Sequence, residues 1–179
     1  MPTFVVLLRA VNVGKRKLRM EHARKVLEDS AFLDVASHIQ TGNLLVTTPM
    51  RSPARVEVAV GECLSTAAGF DIVAMARRPG ELTDLVAAVD GIPPAFDTEV
   101  ARYVAFCREE VTPDAATRLA SWDTAGERVH VLGRDVVIEL GKAFHEARLG
   151  NAEVEKITGS PATTRNLTVV RTLAQKWGT

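Results

Sequence analysis

Short apolar runs alternate along the chain with stretches whose apolar positions recur every three or four residues. Residues 4–8 are unbroken apolar and β-branched side chains, the pattern of a buried strand. Residues 20–30 put Met20, Ala23, Val26 and Leu27 on one stripe, which predicts a helix. Residues 35–40 and 44–48 read as two short strands around Thr41, Gly42 and Asn43, because Gly and Asn tolerate the positive φ of tight hairpin turns. Ser52 is an N-cap followed by Pro53 at the first helical position, and Gly69 ends the helix they open. Between them Val56, Ala59, Val60, Cys63, Leu64 and Ala67 hold helical spacing. A strand over 71–76 and a helix over 79–89 follow, and Gly91-Ile92-Pro93-Pro94 is the best linker in the chain.

The second half replays this order. Residues 102–107 predict a strand, Thr112 and Pro113 open a helix reaching about Trp122, and 128–132 with 135–140 form a hairpin around Gly133 and Arg134. A short helix over 151–158 precedes a last helix, capped by Thr163 or Thr164 and running to Trp177. Strand-helix-strand-strand-helix-strand is the ferredoxin-like order. The expectation is an α+β protein of two related ferredoxin-like (βαββαβ) lobes packed together, residues 1–92 and 93–179, the second carrying C-terminal helices. No final strand is evident after Leu140, so the second lobe is expected to be incomplete or to share an edge. A single continuous mixed sheet is the alternative.

Topology then acts on the polar residues. In the ferredoxin-like order the first two strands run parallel, joined by a right-handed crossover. Their C-terminal ends share one edge, so the loop carrying Arg9, Asn12, Gly14, Lys15 and Lys17 is expected to meet the turn carrying Gln40, Thr41, Gly42 and Asn43. Charge sharpens this picture. The chain has 22 basic and 22 acidic residues, a formal net charge of zero that argues against a nonspecific nucleic-acid binder. The zero is a cancellation. Arg9, Lys15, Arg16, Lys17, Arg19, Arg24 and Lys25 face only Glu21 between positions 9 and 25, a local +7 − 1 = +6, and the other residues together carry −6. A loop of that charge attracts anions, phosphate first among them.

Other chemistry finds no support. Gly14-Lys15 lacks both the upstream Gly and the following Ser or Thr of a phosphate-binding loop, and no G-x-G-x-x-G occurs. His145-Glu146 has Leu149 where a zinc-protease helix needs its second His. The four His are scattered, so neither a metal nor a cofactor is expected. Cys63 and Cys107, far apart in apolar segments, read as buried thiols. The nine aromatic residues sit mostly at core positions and build no stacking platform for RNA. Met1-Pro2-Thr3 carries no basic signal region, and no window approaches the roughly 18 apolar residues of a membrane span, so a cytoplasmic protein with no membrane partner is expected.

Three stretches resemble family signatures. Residues 7–14, Leu-Leu-Arg-Ala-Val-Asn-Val-Gly, are similar to L-L-R-G-I-N-V-G; residues 38–43 are similar to Y-I-Q-S-G-N; Thr163-Thr164-Arg165-Asn166 resembles T-x-R-N-W. Together they resemble the bacterial family called domain of unknown function 1697. The sequence departs from the pattern at Ala10, Lys15 and Leu167, where Gly, Gly and Trp are usual. The resemblance implies a duplicated ferredoxin-like fold and no established activity. Its third motif sits at the start of a helix, where backbone N–H groups favour anions.

No reaction can be assigned. The first expectation is a site for an anionic or phosphorylated small molecule lined by Arg9, Asn12, Gly14, Lys15, Lys17, Gln40, Thr41, Gly42, Asn43, Thr163, Arg165 and Asn166. The first alternative is a non-catalytic interaction module or a homo-oligomer formed through an open sheet edge. The second is a nucleic-acid accessory protein holding phosphates on the basic loop.

Overall fold

The computed structural model of the chain describes residues 1–97 and 101–179. These form two compact units, residues 1–82 with 176–179 and residues 83–175. In the first, β1 (Thr3–Arg9) leads through α1 (Met20–Asp29) to β2 (Leu33–His38) and β3 (Asn43–Thr47), then through α2 (Pro53–Ala68) to β4 (Val73–Arg77). The strands lie in the order β2-β3-β1-β4, each pair antiparallel. Because β1 and β2 both run against β3, they point the same way, and Arg9 and His38 end at one edge.

One face of this sheet, with Phe4, Val6, Leu8, Leu44, Val46, Ala74 and Ala76, packs against Met20, Ala23 and Leu27 of α1 and Val56, Val60 and Leu64 of α2. The opposite face is buried too, at Val5, Leu7, Met75 and Arg77. Two buried faces explain why β1 is an unbroken apolar run instead of an alternating one. Local signals set the ends of α2. Ser52 Oγ accepts the Arg55 N–H, Pro53 follows it, and Gly69 closes the helix at φ 75°.

In the second unit α3 (Pro79–Asp90), which begins in the first, leads to β5 (Ala101–Cys107), α4 (Pro113–Ala120), β6 (Glu127–Leu132) and β7 (Asp135–Leu140). A short 3-10 turn (Phe144–Glu146), α5 (Asn151–Thr158), β8 (Ala162–Asn166) and α6 (Leu167–Trp177) complete it. The sheet order is β6-β7-β5-β8, again antiparallel throughout. Its core joins Ala105, Cys107, Val136, Ile138 and Leu140 to Leu119 of α4 and Val154 of α5.

The second sheet corrects one expectation. It is not short of a strand: β8 pairs with β5 from Ala162↔Cys107 to Asn166↔Tyr103. Thr163 and Thr164 are therefore strand residues, and the cap of α6 is Asn166, whose Oδ1 accepts the Thr168 N–H at 2.8 Å. The strand escapes detection because Arg165 and Thr163 stand at two of its three buried positions, where an apolar pair would have revealed it. A continuous single sheet is not what forms either, since the eight strands among the described residues divide four and four.

Candidate functional site

After β1 the backbone enters the left-handed region at Ala10, Asn12 and Gly14, each at φ 57°. The chain then folds back on itself, with the Arg16 N–H donating to the Val13 carbonyl at 3.1 Å. Asn12 holds this excursion closed. Its Oδ1 accepts the Leu18 N–H at 2.9 Å, and its Nδ2 donates to the Leu18 carbonyl at 2.9 Å. The same Nδ2 donates to the Gln40 carbonyl at 2.5 Å, which joins the loop to the β2–β3 turn. Gln40 answers with its side chain: Oε1 accepts the Met20 N–H at 3.2 Å, serving the first turn of α1, where Arg19 supplies no side-chain cap.

The turn is tied from below. The Leu8 N–H donates to the Gly42 carbonyl at 2.8 Å. Gly42 has φ 81°, and a Cβ there would lie 2.6 Å from Val11 Cγ2 and 2.8 Å from Leu8 Cβ. Asn43 is fully buried, and its amide donates to the His38 carbonyl at 3.1 Å and to Thr41 Oγ1 at 3.0 Å. The two loops meet at the bond from the Asn12 amide to the Gln40 carbonyl, while the Asn43 amide spends its hydrogen bonds closing the turn itself.

What they leave on the outside is charge. Lys15, Arg16, Lys17 and Arg19 are exposed, while Arg9 is half-buried and engaged within the fold. The Arg16 guanidinium lies 5.7 Å from the centre of the Phe70 ring. Arg24 Nη1 donates to Ser37 Oγ at 2.5 Å, tying α1 to β2. One contact was not legible beforehand. Lys176, beyond the second unit, donates to His38 Nδ1 at 3.3 Å, and burial together with the Lys176 charge lowers the His38 pKa. An imidazole whose pKa is lowered beside a lysine therefore stands one residue from the strained turn at Ile39, a β-branched residue at φ 51°.

The second unit closes the corresponding edge differently. There the Cys107 N–H donates to the Arg134 carbonyl at 2.9 Å, the counterpart of the Leu8–Gly42 bond. Between β5 and α4 lie only residues 108–112, against 10–19 between β1 and α1. The β6–β7 turn is residues 133–134, against 39–42. The short loop carries Glu109 and Glu110 where the long one is cationic.

Thr163, Arg165 and Asn166 belong to this second unit. Thr163 is buried, and Arg165 is only 8% exposed. Arg165 Nη1 donates to Thr163 Oγ1 at 2.7 Å and to the Thr164 carbonyl at 3.0 Å, and burial pulls its pKa down to about 10. Their contacts fasten β8 and α6.

Two buried carboxylates of the second unit do structural work. Glu139 lies 2.8 Å from Arg102 Nη2 and 2.6 Å from His130 Nε2, while Arg102 also donates to the carbonyls of Val89 and Ile92, fastening the end of α3 to β5. Glu127 accepts from Trp122 Nε1 at 2.8 Å and from the N–H groups of Arg148 and Leu149, and Lys142 Nζ lies 2.7 Å away. Burial raises the Glu127 pKa, but the donors from Lys142, Arg148, Trp122 and Leu149 outweigh it and hold the carboxyl below its usual range. No group of three His, Cys, Asp or Glu that could hold a metal occurs among the described residues, and no helix there is long and apolar enough to cross a membrane.

Among solved structures the chain is similar to "conserved bacterial protein SP0830" from Streptococcus pneumoniae, at a TM-score of 0.72 and 19% identity, over 100% of this chain and 99% of that one. At that identity the likeness is one of fold alone. No curated protein matches the sequence. A family model does, over residues 1–136, which takes in both loop motifs and stops short of Thr163. That match covers both clamped loops and most of the chain, and the chain belongs to the family described as "Protein of unknown function (DUF1697)".

Proposed function

We propose that the two units are ferredoxin-like lobes of an internal duplication, and that the first has been specialised to bind an anionic, phosphorylated small molecule. The repeated connectivity and strand order support the first half of this reading. One observation carries the second. The second lobe closes its loop edge with residues 108–112 and 133–134 alone, which supports reading the extra chain of the first as dispensable to the fold. Residues 10–19 and 39–42 are longer, stand at positive φ at Ala10, Asn12 and Ile39, and present Lys15, Arg16, Lys17 and Arg19 to solvent. Strained, cationic chain that the scaffold can do without is kept for what it binds.

Roles divide accordingly. Lys15, Lys17 and Arg19 are the anion contacts, with Gly14 at the tip leaving the backbone open to approach. Asn12, Gln40, Thr41, Gly42 and Asn43 hold the platform in shape. Arg9 stands at its base, and Thr163, Arg165 and Asn166 serve the second lobe's own strand and helix.

The experiment is a thermal-shift series with inorganic phosphate, pyrophosphate and nucleotides on the wild type and a Lys15→Ala/Lys17→Ala variant. The wild type should be stabilised by at least one phosphate-bearing ligand, and the variant should lose the shift while keeping its own melting temperature. Equal shifts in both proteins would overturn the reading. Binding of duplex DNA that falls steeply with salt, with no small-ligand effect, would replace it by the nucleic-acid alternative.

A further inference from the structure

Two apolar side chains stand at the cationic platform, and neither is needed by the core. Val13 is 66% exposed at the head of the turn after β1, and Ile39 is 46% exposed in the turn after β2. They flank one bond from opposite ends: Asn12 Nδ2 donates to the Gln40 carbonyl at 2.5 Å, with Val13 next to the donor and Ile39 next to the acceptor. The clamp that joins the loops therefore ties the backbone next to Val13 to the backbone next to Ile39, and the exposed Lys15, Lys17 and Arg19 follow Val13 in the same loop.

Ile39 is held there against its own preference. At φ 51° a β-branched side chain crowds the backbone, and Asn or Gly would sit without that strain. A site for a bare inorganic anion has no use for aliphatic surface, since cations and N–H donors suffice. Base reading is poorly served as well, because the Asn12 and Asn43 amides and Gln40 Oε1 are bonded to backbone. Resting on the anion-site reading above, we infer that the ligand is amphipathic: a phosphate monoester whose phosphate meets Lys15, Lys17 and Arg19 and whose hydrocarbon group covers Val13 and Ile39.

The test is titration calorimetry with inorganic phosphate and with butyl, hexyl and octyl phosphate, below micelle-forming concentrations. Affinity should rise roughly two- to fourfold per added methylene, the range for partial to full burial of each CH₂. A Val13→Ser/Ile39→Ser variant should bind inorganic phosphate as the wild type does and lose the dependence on chain length. Its melting temperature is the control for folding. Phosphate binding with no gain from the alkyl chain would overturn this inference and leave the anion site standing. A chain-length gain that survives in the variant would place the apolar contact elsewhere and overturn it too. No binding by any member of the series would overturn both.

Discussion

Asn12 grips both backbone groups of Leu18, accepting from its N–H and donating to its C=O at 2.9 Å each. A side-chain amide here replaces a rung of β-ladder and lets the residues between them bulge outward without leaving Leu18, which is buried, unpaired. Asn12→Ala should therefore destabilise the protein by roughly 1–3 kcal/mol, since it strands buried backbone groups. Asn12→Gly, which suits φ 57°, separates the lost bonds from backbone strain. Urea unfolding reads both, and an unchanged midpoint in both variants would remove Asn12 from the clamp.

Two glycines of the site should respond differently to the same change. Gly42→Ala drives a methyl to 2.6 Å from Val11 and 2.8 Å from Leu8, at φ 81°, and should cost about 2–4 kcal/mol. Gly14→Ala meets nothing within 4 Å and carries only the left-handed strain, about 1 kcal/mol. Similar losses for both would mean that the turn and the loop are not packed on one another.

Ile39→Asn should raise stability by about 1 kcal/mol, because Asn tolerates φ 51° and little apolar contact is lost. The same variant should weaken alkyl phosphate binding. A stabilising change that lowers affinity, measured by thermal melting and calorimetry together, is the signature of a residue kept for the ligand.

Acid should act through Glu127. Its carboxyl is held below the usual range in the folded protein, so the unfolded chain binds the proton more tightly. The stability it contributes is present above the unfolded pKa and is lost as pH falls through the folded one. Glu127→Gln should therefore be clearly less stable than wild type at neutral pH, and the gap should close in acid. A gap independent of pH would mean that the carboxylate charge is not what the four donors recognise.

His38 offers a local readout of the C-terminal segment. Burial and Lys176 both depress its pKa, so Lys176→Ala should move the imidazole titration upward but not back to its ordinary value. An unshifted NMR titration curve would show that Lys176 does not rest on His38 in solution.

The apolar patterning carried most of the fold. Helix α2 lies between the Ser52 cap and Gly69, as their chemistry requires, and β1 with its two buried faces reads directly from residues 4–8. The meeting of the two loops also followed from strand order. Two things did not. The strand β8 hides because Arg165 is buried with its charge turned toward Thr163 and a carbonyl, and burial of a cation leaves no mark in hydrophobic patterning. The roles of Asn12, Gln40 and Asn43 were also hidden, because an amide that could orient a ligand and one that closes a loop are the same residue in a sequence. Only their partners separate the two.

The polar character of β8 has a consequence for how the chain is handled. Its residues 162–166 carry little drive of their own to join a sheet, yet they cover the edge of β5, where Val104, Ala105, Phe106 and Cys107 are buried. A fragment cut before Ala162, or a chain still missing that segment on the ribosome, exposes an apolar strand with open N–H and C=O groups. Such an edge templates pairing between molecules. Truncated versions ending near Leu140 should therefore aggregate while the full chain stays dispersed, and deletion work on this protein is best confined to the loops.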